Sequence, residues 1–184
     1  MGLSTRVAFL HPGWLTALPF VWLIGGSWLA TLVPPQALLA LPLVISLIPL
    51  LWMLGLYRTA GLAVRDGAVA STGHDWIFWL TGAAELATAA IFMINGETIL
   101  ATMQLPPVLF LPGSVWVGGF VAGMGLTAFN LEAFDRGEAP SAGAVGGAFA
   151  LLWFWPVGVW VLRPLVQRLR QAPGDNPIRP AMQG

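Results

Sequence analysis

The chain has 184 residues, 57% of them apolar and 9% charged, with 22 Gly, 15 Pro, 10 Trp and no Cys. A soluble domain carries about 25% charged residues, so this chain has too few polar side chains to coat itself in water, and its composition is that of a membrane protein. The lack of cysteine excludes disulfides, thiolate metal centres and a cysteine nucleophile, and eight basic against eight acidic residues leave no basic field for nucleic acid.

Hydrocarbon about 30 Å thick is crossed by roughly 20 apolar residues in a helix. Five arginine-free segments approach that length, at 14–33, 37–57, 76–94, 114–131 and 145–162. The expected fold class is therefore an all-α integral membrane protein. Residues 1–13 form an N-terminal segment, 14–163 a bundle of about five transmembrane helices, and 164–184 a polar, disordered tail. The alternative is four spans plus a re-entrant or interfacial segment. The fifth segment is the one to fail, because it begins among Gly143, Gly146 and Gly147 and is interrupted by Pro156.

The first segment follows Arg6, but its apolar run exceeds a signal peptide's and no small-x-small cleavage site follows it, so it is read as retained. Pro34 and Pro35 end it, since proline has no amide donor and restricts the residue before it. Pro42 and Pro49 fall inside the second segment. They predict either a bent helix used for packing or a broken helix lining a substrate path.

The connection at 58–75 holds Arg58, Arg65, Asp66, His74 and Asp75, whereas the one at 95–113 has Glu97 as its sole charge. Arginine is enriched on the cytoplasmic side, which places 58–75 and the N-terminus there. Five spans then set Arg6, Arg58, Arg65 and Arg136 on one side against Arg163, Arg168, Arg170 and Arg179 on the other. Orientation by arginine count is tied.

Glu85 stands in the middle of the third segment with no arginine at its depth. An ionisable group there is costly and marks a functional hypothesis. Thr81, Gly82, Thr88 and Ala89 share its helical face, and Ser46 is the expected hydrogen-bond partner from the second segment. The carboxyl serves either as a hydrogen-bonding tie between helices or as a proton or cation relay.

Small residues recur at four-residue spacing at Gly119, Gly123 and Thr127, and again at Gly143 and Gly147. That spacing lets two helix backbones approach closely, within the bundle or towards another subunit. Asn130, Glu132, Asp135, Arg136 and Glu138 read as a solvated loop after the fourth helix, and their spacing matches no calcium loop. His11 and His74 flank the first and third segments at one membrane edge. They are weak metal or haem candidates, better read as interfacial residues capping helix ends, and no cofactor is expected. Trp14, Trp76 and Trp116 near helix starts suit an aromatic belt.

Walker, HExxH and GxSxG motifs are absent from the sequence, so nothing in it argues for an enzyme. All eight basic residues are arginine, and Ala, Gly and Pro are abundant, which suits a GC-rich bacterial genome. The leading expectation is a small multi-pass bacterial inner-membrane protein acting as an accessory or assembly subunit of a larger membrane complex. Its partners are the lipid bilayer and other membrane subunits or further copies of itself. The alternative is a small transporter or channel using Glu85 as its proton or cation site.

Overall fold

The computed structural model describes residues 11, 13–17, 25, 28, 32–64 and 69–171, and every regular element among them is helical. Helix α1 is Pro35–Ala63, α2 is Asp75–Thr102, and α3 is Phe110–Arg136, entered through a 3₁₀ turn at Pro107–Leu109. These three are long and apolar enough to cross a membrane. With 27 to 29 residues each, they run roughly 40 Å, longer than a hydrocarbon layer of about 30 Å. This is why each helix overruns the apolar segment that announces it: a helix needs apolar side chains only where it meets lipid tails.

Helix ends follow local chemistry. Pro35 sits in the first turn of α1, where no intrahelical partner exists for an amide hydrogen. Helix α3 stops at Gly137, whose φ of 71° glycine adopts without steric cost. Met103 ends α2 at φ 55°, a left-handed conformation that is strained for a side chain. Ser141 then opens the next helix, its hydroxyl accepting from the Ala144 amide at 3.4 Å.

The three long helices alternate in direction. One end of the bundle, here the arginine end, gathers Ala63, Asp75 and Arg136; the far end gathers Pro35, Thr102 and Pro107. The main core lies nearer the arginine end, where Trp52, Met53, Leu56 and Tyr57 of α1 meet Phe78 of α2 and Met124, Ala128 and Leu131 of α3. Towards the far end the buried cluster shrinks to Ala40, Leu43 and Ala89, flanked by partly buried Phe92 and Trp116, with Ile99 and Leu109 buried outside it.

The segment 145–162 is not one crossing helix. It forms α4 (Ala142–Trp153) and α5 (Trp155–Val161), followed by α6 (Arg163–Gln171). Phe154 leaves helical geometry at ψ 47°, just before Pro156, which has no amide hydrogen to extend α4. The chain then doubles back. Gly158 of α5 lies so close to α4 that a Cβ there would overlap the Leu151 carbonyl. Arg168 of α6 returns to within 2.5 Å of Asp135, beside the start of α4. A 12-residue helix rises roughly 18 Å, so α4 and α5 make a hairpin about half as long as the three long helices, and α6 brings the chain back to the arginine end.

Helix α6 also corrects the expected disordered tail from residue 164: it is ordered through Gln171 because Leu165 and Leu169 join the main core. Residues 172–184 lie outside the described set. So do Arg6, Arg65, Asp66 and Arg179, and most of the first predicted segment, 14–33. Of that segment, residues 13–17 are helical, with Leu15 in the main core. The Thr16 hydroxyl donates to the Pro156 carbonyl at 3.2 Å and accepts from the Trp160 indole at 2.9 Å.

Candidate functional site

Glu85 is fully buried where α2 meets α1 and α3. Its Oε1 is hydrogen-bonded to the Ser46 hydroxyl, which also contacts the Leu43 carbonyl at 2.8 Å. Ser46 lies between the two prolines of α1. Trp116 of α3 faces the same carboxyl, yet its indole N–H and Glu85 Oε2 stay short of hydrogen-bonding geometry and have no other partner among the described residues.

A hydroxyl carries one hydrogen, which gives this cluster two proton arrangements. A protonated Glu85 donates to Ser46, whose own hydrogen goes to the Leu43 carbonyl. An ionised Glu85 instead accepts the Ser46 hydrogen, and Leu43 loses it. The arrangement can tie three helices or hold and release a proton.

Thr81 and Thr88, the other expected members, are buried on the same face of α2 but turn their hydroxyls back to their own helix. Thr81 donates to the Ile77 carbonyl at 2.6 Å and Thr88 to Ala84 at 2.8 Å. Such i−4 bonds satisfy the hydroxyl within the helix and leave it no hydrogen for Glu85. Trp116, by contrast, was legible only as an interfacial aromatic.

An apolar groove of about 630 Å³ opens beside this cluster towards the far end, lined by Thr88, Phe92, Leu105, Leu109, Phe110 and Trp116 among others. Trp116 is thus shared: its ring forms a wall of the groove while its N–H faces the carboxyl.

The strongest polar connection lies elsewhere. Asn130, expected in a solvated loop, is fully buried inside α3, which continues to Arg136. Its Nδ2 donates to the Tyr57 carbonyl at 3.0 Å and the Ser71 carbonyl at 2.9 Å, and its Oδ1 accepts from the Ser71 amide at 2.8 Å. Gly61 makes room, since a Cβ there would stand 3.0 Å from Asn130 Nδ2. The Tyr57 hydroxyl accepts from the His74 amide at 3.1 Å, while the Thr127 hydroxyl turns back to the Gly123 carbonyl of its own helix at 2.8 Å, with the Met53 carbonyl of α1 farther off at 3.3 Å. Asn130 therefore fastens α3 to α1 and to the connection between α1 and α2.

Two of the acids that follow Asn130, Glu132 and Asp135, pair with arginines. Glu132 accepts from Arg136 at 3.0 Å and Asp135 from Arg168 at 2.5 Å, while Asp75 accepts from Arg58 Nε at 2.6 Å. The histidines are held apart by different neighbours. His11 accepts from the Gly13 amide at 3.1 Å and meets Trp160 edge-on, while His74 Nδ1 lies 3.2 Å from the Ser71 hydroxyl. Among the described residues no three metal-ligating side chains come together.

The glycines fall into two groups. A Cβ on Gly119 would collide with the Thr81 hydroxyl, and one on Gly123 would stand 3.0 Å from the Phe78 ring, so both lie against α2. A Cβ on Gly143, Gly146 or Gly147 of α4, or on Gly118 or Gly125 of α3, would meet no described residue within 4 Å.

No protein family, curated protein or solved structure matches this chain. The functional reading therefore rests on its own residues.

Proposed function

We propose that this chain is a multi-pass bacterial inner-membrane protein working as an accessory or assembly subunit, with one face of α3 and α4 offered to a partner membrane helix. The observation that carries this reading is the division of glycines on α3. Gly119 and Gly123 are used against α2, whereas Gly118 and Gly125, with exposed Ala122 between them, meet no described residue on another side of the helix. In lipid, where no hydrophobic force drives helices together, close approach over small residues is a principal source of association.

The test is size in mild detergent after extraction from native membranes. Wild type should elute in a complex, and the double variant Gly118→Leu, Gly125→Leu should elute alone with its melting temperature unchanged. Wild type eluting alone overturns the reading.

The orientation that goes with it is four crossings, counting the first segment, and the α4–α5 hairpin re-entering from the cytoplasm. The five described arginines, Arg58, Arg136, Arg163, Arg168 and Arg170, belong to the end of α1, the end of α3 and α6, which meet at one end. Among the described residues the arginine count is five to none, the asymmetry that cytoplasmic surfaces carry. In this cysteine-free chain, Ala68→Cys and Gln183→Cys should both resist an impermeant maleimide in intact spheroplasts. Labelling of Ala68→Cys reverses the orientation, and labelling of Gln183→Cys alone restores five spans.

A second reading, a proton or cation transporter, is favoured by the Glu85–Ser46 pair inside a helix interrupted by two prolines. It requires flux in proteoliposomes that Glu85→Gln abolishes.

A further inference from the structure

Three of the five described arginines are spent on neighbours: Arg58 on Asp75, Arg136 on Glu132 and Arg168 on Asp135. Arg163 and Arg170 are different. Both are exposed, both belong to α6, and no acid among the described residues pairs with either. Seven residues apart, they share one helical face roughly 10 Å long. Leu165 and Leu169 occupy the opposite face and are buried in the main core. The core thus fixes the roll of α6 and turns the two arginines away from the protein.

The level of α6 is fixed as well. Arg168 ties it to Asp135 in the last turn of α3, and Leu165 and Leu169 join the same core as Tyr57 and Ala60 near the end of α1. Helices of 27 and 29 residues overrun a 30 Å hydrocarbon layer, so their ends, and α6 with them, stand in the headgroup layer. We propose that the outward face of α6 binds anionic phospholipid, Arg163 and Arg170 each taking a headgroup phosphate. Guanidinium presents paired N–H donors that match phosphate oxygens. An arginine at this depth gains attraction from an anionic leaflet that it would not gain from a zwitterionic one. The cytoplasmic orientation above decides only which leaflet supplies the lipid, and lipid retention in detergent is blind to sidedness, so failure of one reading is separable from failure of the other.

The experiment is native mass spectrometry of the full chain in detergent with phosphatidylglycerol and phosphatidylcholine in equal amounts, backed by melting curves in each lipid. Wild type should retain phosphatidylglycerol in preference and melt higher in its presence. Arg163→Gln and Arg170→Gln should each lower that retention roughly fivefold, the double variant should abolish the preference, and Glu97→Gln at the far end should change nothing. Equal retention of the two lipids by wild type, or an unaltered preference in the double variant, overturns the proposal. So does displacement of the lipid by excess inorganic phosphate, which would reveal a site for a soluble anion.

Discussion

The two ends of the three-helix core are built differently. At the arginine end, large side chains interdigitate and the helices are pinned by Asn130 and Tyr57. Towards the far end, Ala40, Leu43 and Ala89 make a small core, an apolar groove opens between α2 and α3, and Glu85 with Trp116 keeps one donor and one acceptor unjoined. The contrast separates two uses of polarity in a membrane. A buried amide with every hydrogen bond made stabilises a fixed arrangement, whereas a carboxyl with an oxygen to spare leaves room for adjustment.

The comparison is broken most severely at the hairpin that braces the arginine end. Gly158→Leu places a side chain on the Leu151 backbone, which cannot give way as a side-chain tip can. We expect a loss of about 3 kcal/mol or more, read as failure to fold or a large fall in melting temperature. Wild-type stability would show that α4 and α5 do not approach as described.

Asn130→Leu comes next. It removes three hydrogen bonds and leaves the Ser71 amide and the Tyr57 carbonyl without this partner. The expected cost is about 2 kcal/mol, each interhelical bond in a membrane being worth about 0.6 kcal/mol and the orphaned groups adding to it. Detergent melting measures it, and a loss no greater than that of Glu85→Ala would erase the proposed difference between the ends.

At the far end the effects shrink. Glu85→Ala should cost about 1 kcal/mol by removing the bond to Ser46. Glu85→Gln keeps both shape and hydrogen-bonding capacity and should melt like wild type. A Gln variant as unstable as Ala would mean that the site needs a carboxyl to fold. The smallest change is Met103→Gly, which relieves a left-handed residue at the end of α2 and should raise stability by about 0.5 kcal/mol or leave it unmoved; a clear loss would show that the Met103 side chain holds the far end together.

The long helices were legible in the sequence because a bilayer demands unbroken apolar runs, and 37–57, 76–94 and 114–131 satisfied that demand. Glu85 was legible by depth, and Ser46 by its matching position. Asn130 was not, because its partners are backbone groups of residues 57 and 71, brought to it by the fold of the chain. Reversal at Phe154 was half legible: Pro156 announced an interruption, but a proline kinks some helices and turns others back. The deciding contact is Gly158 on Leu151, and glycine in a chain with 22 of them carries little signal of its own.

Thr16 and its two partners, Pro156 and Trp160, are separated by 140 and 144 residues. A ribosome adding roughly 5–20 residues per second makes the first of these groups roughly 7–30 s before the others. Throughout that interval the turn at residues 13–17 lacks the carbonyl and indole that later engage it, so this contact forms only after about 140 further residues have been made.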